Sequence, residues 1–269
     1  MNMTANSDSE RFRSEAHKYA AYLETPEGRL RSDLALANLE EFLPRAQAKT
    51  PLCALDVGGG TGGTAVRLAR LGIQVTVLDS SEAMLAIAQR TAGEAGVTDK
   101  VALQPGNASH LAKLFPTPSF DVIVCHNLLE YVDDTAAVLC GAMGALRGSS
   151  AVLSLLVRNR AGEVLKAAIQ SGDLAAAGKN LTAEWGLESL YGGKVRLFTS
   201  DSLRSMLRSA SLATIAERGV RVLADYLPPQ VSRDAEYDRI FELERKLGSR
   251  PEFAAVARYT HCFAHRPAS

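Results

Sequence analysis

Lysine is scarce in this sequence, with eight in 269 residues, and thirty basic against thirty acidic side chains leave no net charge. No global field therefore draws the chain to nucleic acid or to an anionic membrane, and a polyanion would have to be held by a local patch. No apolar run reaches the roughly 18 residues that read as a membrane span. The opening MNMTANSDSERFRSEAHK lacks the apolar centre of a secretory signal, so a cytoplasmic protein is expected. Cys53, Cys125, Cys140 and Cys262 lie far apart without a Cys-x-x-Cys pair. That spacing excludes a disulfide framework and a zinc site, and it reads as buried thiols. No metal is expected.

The sequence does alternate short apolar runs with helix-period segments. Leu52 to Val57, Ile73 to Leu78, Val101 to Gln104, Phe120 to Cys125 and Ala151 to Val157 read as strands, with helices at Thr64 to Leu71, after Ser80 or Ser81, and at Thr135 to Leu146. This order predicts an α/β fold with a mostly parallel, doubly wound sheet. Leu212 to Glu217 with Val220 to Leu223, and then Arg258 to Ala264, add two late strands around a helix at Asp234 to Leu247, which brings the sheet to seven. Leu23 to Phe42 supplies helical structure expected beside the cleft, at the carboxyl ends of the strands. Residues 1–19 read as a polar, mobile lead-in and 20–269 as one domain. In the glycine-rich segment 158–198 the alternation breaks down, as in an insertion over the sheet. Residues 1–157 carry 13 basic and 17 acidic side chains and residues 158–269 carry 17 and 13, so a polyanion would favour the second part.

Asp56-Val57-Gly58-Gly59-Gly60-Thr61-Gly62-Gly63 stands between a strand and a helix. Gly58, Gly60 and Gly63 satisfy the dinucleotide fingerprint G-x-G-x-x-G. Asp56, Gly58, Gly60 and Gly62 also satisfy D-x-G-x-G-x-G, which resembles the first motif of class I S-adenosylmethionine-dependent methyltransferases. There the glycines admit the cofactor's methionine and ribose, and the acid helps to orient its amino group. Asp79, with Ser80 after it, suits either reading, because a carboxylate ending the second strand can accept from ribose hydroxyls. Gly106-Asn107-Ala108 resembles the methyltransferase position that meets adenine. No Tyr-x-x-x-Lys pair occurs, which removes the short-chain dehydrogenase reading.

The resemblance then narrows. Glu27-Gly28-Arg29-Leu30-Arg31, the LDVGGGTGGTA loop, CHNLLEYV, VLSLLVRNRAG, GVRVLADYL and ELERKLGSRPEFAAVARYTH together resemble the bacterial tRNA 5-carboxymethoxyuridine methyltransferase family, from about Ala20 to Arg266. Such enzymes esterify the carboxylate of a wobble uridine using S-adenosylmethionine. The resemblance implies that Arg31 faces the cofactor's carboxylate, that Gly58 and Gly59 form its loop, and that Asp79 holds its ribose. It also places Ala108 and Ser109 as adenine-side amides and His126 at the end of the fourth strand.

A carboxylate acceptor is already ionised and needs no general base, so catalysis is placement and exclusion of water. Tyr22, Asn127, Arg158, Asn159, Lys194 and Arg196 are the substrate-side candidates, with Arg218 and Arg221 for phosphate, and the expected partner is a tRNA anticodon loop. A small-molecule methyltransferase is the competing reading. A phenol or amine acceptor would need a base, with His126 and Tyr22 as the catalytic candidates. A non-catalytic S-adenosylmethionine-binding protein is a third reading. Oligomeric state is not readable from the sequence.

Overall fold

The computed structural model describes residues 16–45, 50–188 and 193–267. Residues 16–23 form a helix, α1. Then follow α2 (Pro26–Glu40), β1 (Cys53–Val57), α3 (Gly63–Arg70), β2 (Gln74–Asp79), α4 (Glu82–Glu94), β3 (Val101–Pro105), α5 (Leu111–Leu114), β4 (Val122–His126) and α6 (Thr135–Ala145). After β5 (Val152–Arg158) come α7 (Arg160–Leu165), a π-helical turn at Lys166–Gln170, α8 (Leu174–Asn180), β6 (Trp185–Glu188) and β7 (Gly193–Arg196). The chain ends with α9 (Ser200–Ser209), β8 (Ala213–Val220), α10 (Tyr237–Gly248), α11 (Pro251–Ala254) and β9 (Tyr259–His265).

Seven strands form one sheet in the order β3-β2-β1-β4-β5-β9-β8, while β6 and β7 pair apart as a hairpin. β1 to β5 run parallel, and β9 runs antiparallel to both of its neighbours. Because β5 has apolar layers on both faces, its residues are buried without alternation. One layer sets Leu139 and Ala142 of α6 and Leu203 and Leu207 of α9 against Ile123, Leu153 and Leu155. The opposite layer sets Leu68 and Val66 of α3 and Leu85 of α4 against Val75, Val77, Val122 and Val124.

Several helix starts follow side-chain capping. Thr25 Oγ1 accepts from Gly28 N at 3.1 Å with Pro26 at the first position of α2, Ser81 caps α4, Asp134 caps α6, and Thr199 with Ser202 forms a capping box on α9.

Most of the 1–19 lead-in lies outside the described residues, and residues 16–19 already belong to α1, where Ala16 is buried. Segment 158–198 leaves and returns at one place: Phe198 N donates to Arg158 O at 3.0 Å and Arg160 N to Phe198 O at 2.8 Å. The run Leu212 to Leu223 is a single strand, β8, stopped where Arg221 takes φ 61. Of the cysteines, Cys125 and Cys262 are buried, Cys53 is half-buried and Cys140 is exposed. No helix of the described residues is long and apolar enough to cross a membrane.

Candidate functional site

The loop after β1 is held by the next strand. Gly58 N and Gly59 N donate to Leu78 O at 2.7 and 3.3 Å. Asp79 Oδ2 accepts from Gly60 N at 2.9 Å and its Oδ1 accepts from Ser81 N at 2.8 Å, so one carboxylate ties the loop to the start of α4. Gly58 has φ +67, and a Cβ there would stand 2.8 Å from Leu128 Cδ1. Gly60 has φ +54, and a Cβ there would meet nothing nearer than Tyr19 Cε1 at 3.8 Å. A side chain at Gly60 would therefore occupy the cavity it lines. Burial raises the Asp79 carboxyl, against the amides of Ser81 and Gly60.

Asp56 corrects the expectation that it meets a ligand's amino group. It is 3% exposed, it does not line the cavity, and a Cβ on Gly59 would fall 2.7 Å from its carboxylate. Its Oδ2 has no partner among the described residues. Burial, then the nearby Asp79, push its carboxyl up to about 7 from an unfolded value of 3.8. The folded value lies above the unfolded one, so folding takes up a proton between them. The resulting stability is present at low pH and is lost as pH rises through about 7. Between pH 5 and 7.5 wild type is expected to lose about 2 kcal/mol relative to Asp56→Asn. Urea unfolding of both cofactor-free proteins checks this; parallel pH profiles would refute it.

A cavity of about 630 Å³ opens from this loop, within the ordinary range for a small-molecule site. Asn107 Oδ1 accepts from Ser109 N at 2.8 Å, which caps the turn at Ala108–His110 and places Gly106, Asn107, Ala108 and Ser109 on one wall. At the end of β4, His126 Nε2 is 2.8 Å from Ser154 Oγ, which is 2.7 Å from His261 Nε2. Burial and then Arg31 bring His126 down to about 3. A neutral imidazole so weakly basic, with one nitrogen engaged, is a poor proton acceptor at neutral pH. Asn127, at φ 52, turns the chain and donates to Glu130 Oε1 at 3.0 Å.

The far wall is a cluster of arginines and tyrosines. Arg31 on α2 is 7% exposed, donates to Tyr19 OH at 3.1 Å, and lies 5.0 Å from the Tyr22 ring and 5.8 Å from that of Tyr259. No carboxylate pairs with it among the described residues. Burial works against its charge, but Tyr19, Tyr22 and Tyr259 outweigh burial and hold its pKa well above the usual value. Arg158 and Arg258 share Glu163 Oε1 at 3.1 and 2.8 Å. Arg221 pairs with Asp225 and donates to Tyr22 OH at 3.1 Å. Burial alone would push the Tyr259 phenol up; Arg158, Arg31, Arg221 and Arg258 outweigh it and bring it down to about 7. Around Tyr259 stand Arg31, Arg158, Arg221, Arg258 and Lys166 against Glu130, Glu163 and Asp225, an excess of two positive charges with the phenol neutral and of one with it ionised, in a partly dry site. Such a wall suits an anion.

Of the residues singled out in the sequence, Tyr22, Arg31, Gly58, Gly60, Asp79, Ser80, Asn107, Ala108, Ser109, His126, Asn127, Arg158 and Arg221 line the cavity. Gly59 packs against Asp56 and Val77, and Gly62 caps α3 against Ala88. Asn159 is structural: its side chain donates to the carbonyls of Ala255 and Ala257 and accepts from Ala161 N. Arg218 pairs with Glu41 and lies over Phe42. Lys194 and Arg196 stand on the hairpin and do not line the cavity. Lys166, Gln170, Asp225, Arg258 and Tyr259 line it without having been singled out. The sequence signal for Asp225 was membership of GVRVLADYL and for Arg258 and Tyr259 of ARYTH, while Lys166 and Gln170 lie in the 158–198 segment outside any motif.

Against known proteins, residues 54–148 match a family described as a methyltransferase domain. The chain is 30% identical over 252 residues to the tRNA 5-carboxymethoxyuridine methyltransferase of Escherichia coli (strain K12), covering 91% of each. It is 36% identical over 134 residues to the ubiquinone biosynthesis O-methyltransferase of Methylococcus capsulatus, covering 48% of this chain and 52% of that one. Its fold matches that of a possible histamine N-methyltransferase from Thermotoga maritima at a TM-score of 0.62 and 15% identity, over 96% of this chain and 99% of the other.

Proposed function

Because the chain belongs to the class I S-adenosylmethionine-dependent methyltransferases, in the family of the tRNA 5-carboxymethoxyuridine methyltransferase, we propose that it esterifies the carboxylate of wobble 5-carboxymethoxyuridine in tRNA. The observation that carries this reading is the surplus of cations over carboxylates around Tyr259. A carboxylate on the cofactor and one on the acceptor suit such a wall.

The cavity fits the cofactor on its own evidence. Gly60 leaves open the volume a Cβ would fill, Asp79 ends β2 beside the loop amides, and Arg31 is a buried guanidinium without a carboxylate partner among the described residues. In this reading Arg31 takes the cofactor's carboxylate, Asp79 its ribose, and Asn107 with the amides of Ala108 and Ser109 its adenine. When bound, the cofactor supplies an electrophilic methyl on a sulfonium. The chain has to hold a carboxylate oxygen in line with that methyl and keep water out. Arg158, Arg221 and Arg258 orient the acceptor, and their ties to Glu163 and Asp225 keep them from pairing with it so tightly that the ground state gains more than the transition state. A phenol acceptor would have to lose a proton, which His126 is too weak a base to take and which would fall to Tyr259 instead.

Incubating the protein with radiolabelled S-adenosylmethionine and tRNA carrying unesterified 5-carboxymethoxyuridine should put base-labile label on that nucleoside. If tRNA stays unlabelled while a metabolite fraction takes up label, the acceptor is a small molecule.

A titration gives a second check. An anion placed among the arginines takes up the charge that brings Tyr259 down to about 7, so a carboxylate ligand is expected to reduce the tyrosinate absorbance at pH 7.5. An unchanged ultraviolet difference spectrum at saturation would count against the anion site.

A further inference from the structure

Segment 158–198 does more than line the cavity. In the β6–β7 hairpin, Trp185 stands opposite Arg196 and Leu187 opposite Lys194, while Gly186 stands opposite Val195. Directly opposed residues share a face of an antiparallel pair. The Gly186–Val195 face is packed, with Val195 fully buried and a Cβ on Gly186 only 3.2 Å from Leu197. The other face is open: Trp185 is 47% and Leu187 79% exposed, with Lys194 exposed beside them. The Arg196 guanidinium lies 5.1 Å from the Trp185 ring centroid, and its Nη1 donates to Thr135 Oγ1 at 3.3 Å. Arg196 N donates to Glu130 O at 3.0 Å, and Glu130 to Asp134 line the cavity. The hairpin is thus fixed to the rim of the cleft, and its outward face combines an indole braced by a guanidinium with an ammonium and a leucine.

We propose that this face docks the anticodon loop of the acceptor tRNA, an unpaired base next to the modified nucleotide stacking on Trp185 while Lys194 meets a phosphate. The proposal rests on the tRNA reading of the cleft. Aromatic and guanidinium planes are the surfaces on which splayed bases stack, and stacking supplies affinity that a chain of zero net charge cannot draw from phosphates alone. A second copy docked through the same face would set Lys194 and Arg196 against their own counterparts, which charge repulsion disfavours.

Trp185 is the single tryptophan of the chain, so intrinsic fluorescence reads this face directly. An unmodified anticodon stem-loop RNA is titrated into the full chain saturated with S-adenosylhomocysteine, with the anisotropy of labelled RNA followed in parallel. The expected result is quenching that tracks binding. Trp185→Ala should raise the KM for tRNA by about tenfold to a hundredfold while kcat at saturation is kept, and Trp185→Phe should recover most of the loss. Lys194→Ala should weaken binding to any stem-loop and lower the salt slope by about one. If RNA binds without quenching and Trp185→Ala leaves the KM within about threefold, the docking face is overturned while the tRNA reading stands. A dimer that Trp185→Ala turns into a monomer at unchanged KM assigns the face to a second copy and also overturns the proposal. If wild type neither binds the stem-loop nor labels tRNA, the acceptor reading fails and takes the docking face with it.

Discussion

Arg31→Ala is expected to weaken S-adenosylmethionine binding by about a hundredfold to a thousandfold, since removing one partner of a buried charge pair costs about 2–5 kcal/mol. The size follows from the surroundings of Arg31. The guanidinium is 7% exposed, lies against the phenols of Tyr19, Tyr22 and Tyr259, and has no carboxylate partner among the described residues, so an incoming carboxylate meets a desolvated charge. Arg31→Lys keeps the charge but loses the planar fork and should fall between the two. Calorimetric titration with S-adenosylhomocysteine measures the effect, and an affinity within about threefold of wild type would refute the assignment. The same variant supplies an internal control. Arg31 helps to bring the Tyr259 phenol down, so its removal should move the tyrosinate titration upward even without cofactor. A folded variant that shows this spectral shift but no loss of affinity would leave Arg31 as a structural member of the cluster only.

Glu244→Ala is expected to cost about 3–5 kcal/mol of stability, since each backbone donor left unsatisfied costs about 1–3 kcal/mol. Glu244 on α10 is fully buried, and its carboxylate accepts from Val222 N at 2.6 Å, Leu223 N at 3.0 Å and Ala224 N at 2.8 Å. Those amides belong to the turn that carries Arg221 and Asp225 into the cleft. Losing their shared acceptor strands three donors at once, two of them buried. Arg221, at φ 61, would keep its carbonyl bond from Arg258 N and its side-chain ties to Asp225 and Tyr22 but lose the fixed turn that follows it. The expectation is therefore double: a fall in the urea midpoint, and a rise in the acceptor KM larger than any change in cofactor affinity. Glu244→Gln keeps one acceptor oxygen and should lie between wild type and Glu244→Ala. A variant as stable as wild type would show that water or side chains satisfy the turn.

The cofactor half of the site was legible because its signals are contiguous. A buried strand, a glycine turn and a helix occupy residues 53–70, and the geometry that turn needs is written in Gly58 and Gly60. Asp79 ends β2 and Asn107 stands two residues past the end of β3, so strand periodicity alone puts all three loops at one end of a parallel sheet. Asp56 shows where that logic stops. The motif names the residue, but the side chain points beneath the loop because Gly59 crosses over it. Lys194 and Arg196 were read as substrate residues from charge and position in the insertion. The hairpin register sends them to its outer face, and nothing in the local sequence separates that face from one turned into the cleft.

By itself the sequence determined the βαβ order, the glycine loop and the acids and amide that follow the strands, because each depends on residues a few positions apart. Only the tertiary structure decided the anionic-ligand wall. β9 enters the sheet antiparallel between β5 and β8, so its first residue, Tyr259, lies opposite Arg158 at the end of β5 and opposite Val220 at the end of β8. A strand running that way brings its beginning, not its end, to the carboxyl side of a parallel sheet. Arg31, Arg158, Arg221 and Arg258, spread over more than two hundred residues, thereby meet around one phenol. No periodicity or motif encodes that meeting, since it depends on the direction of a strand and the burial that direction imposes.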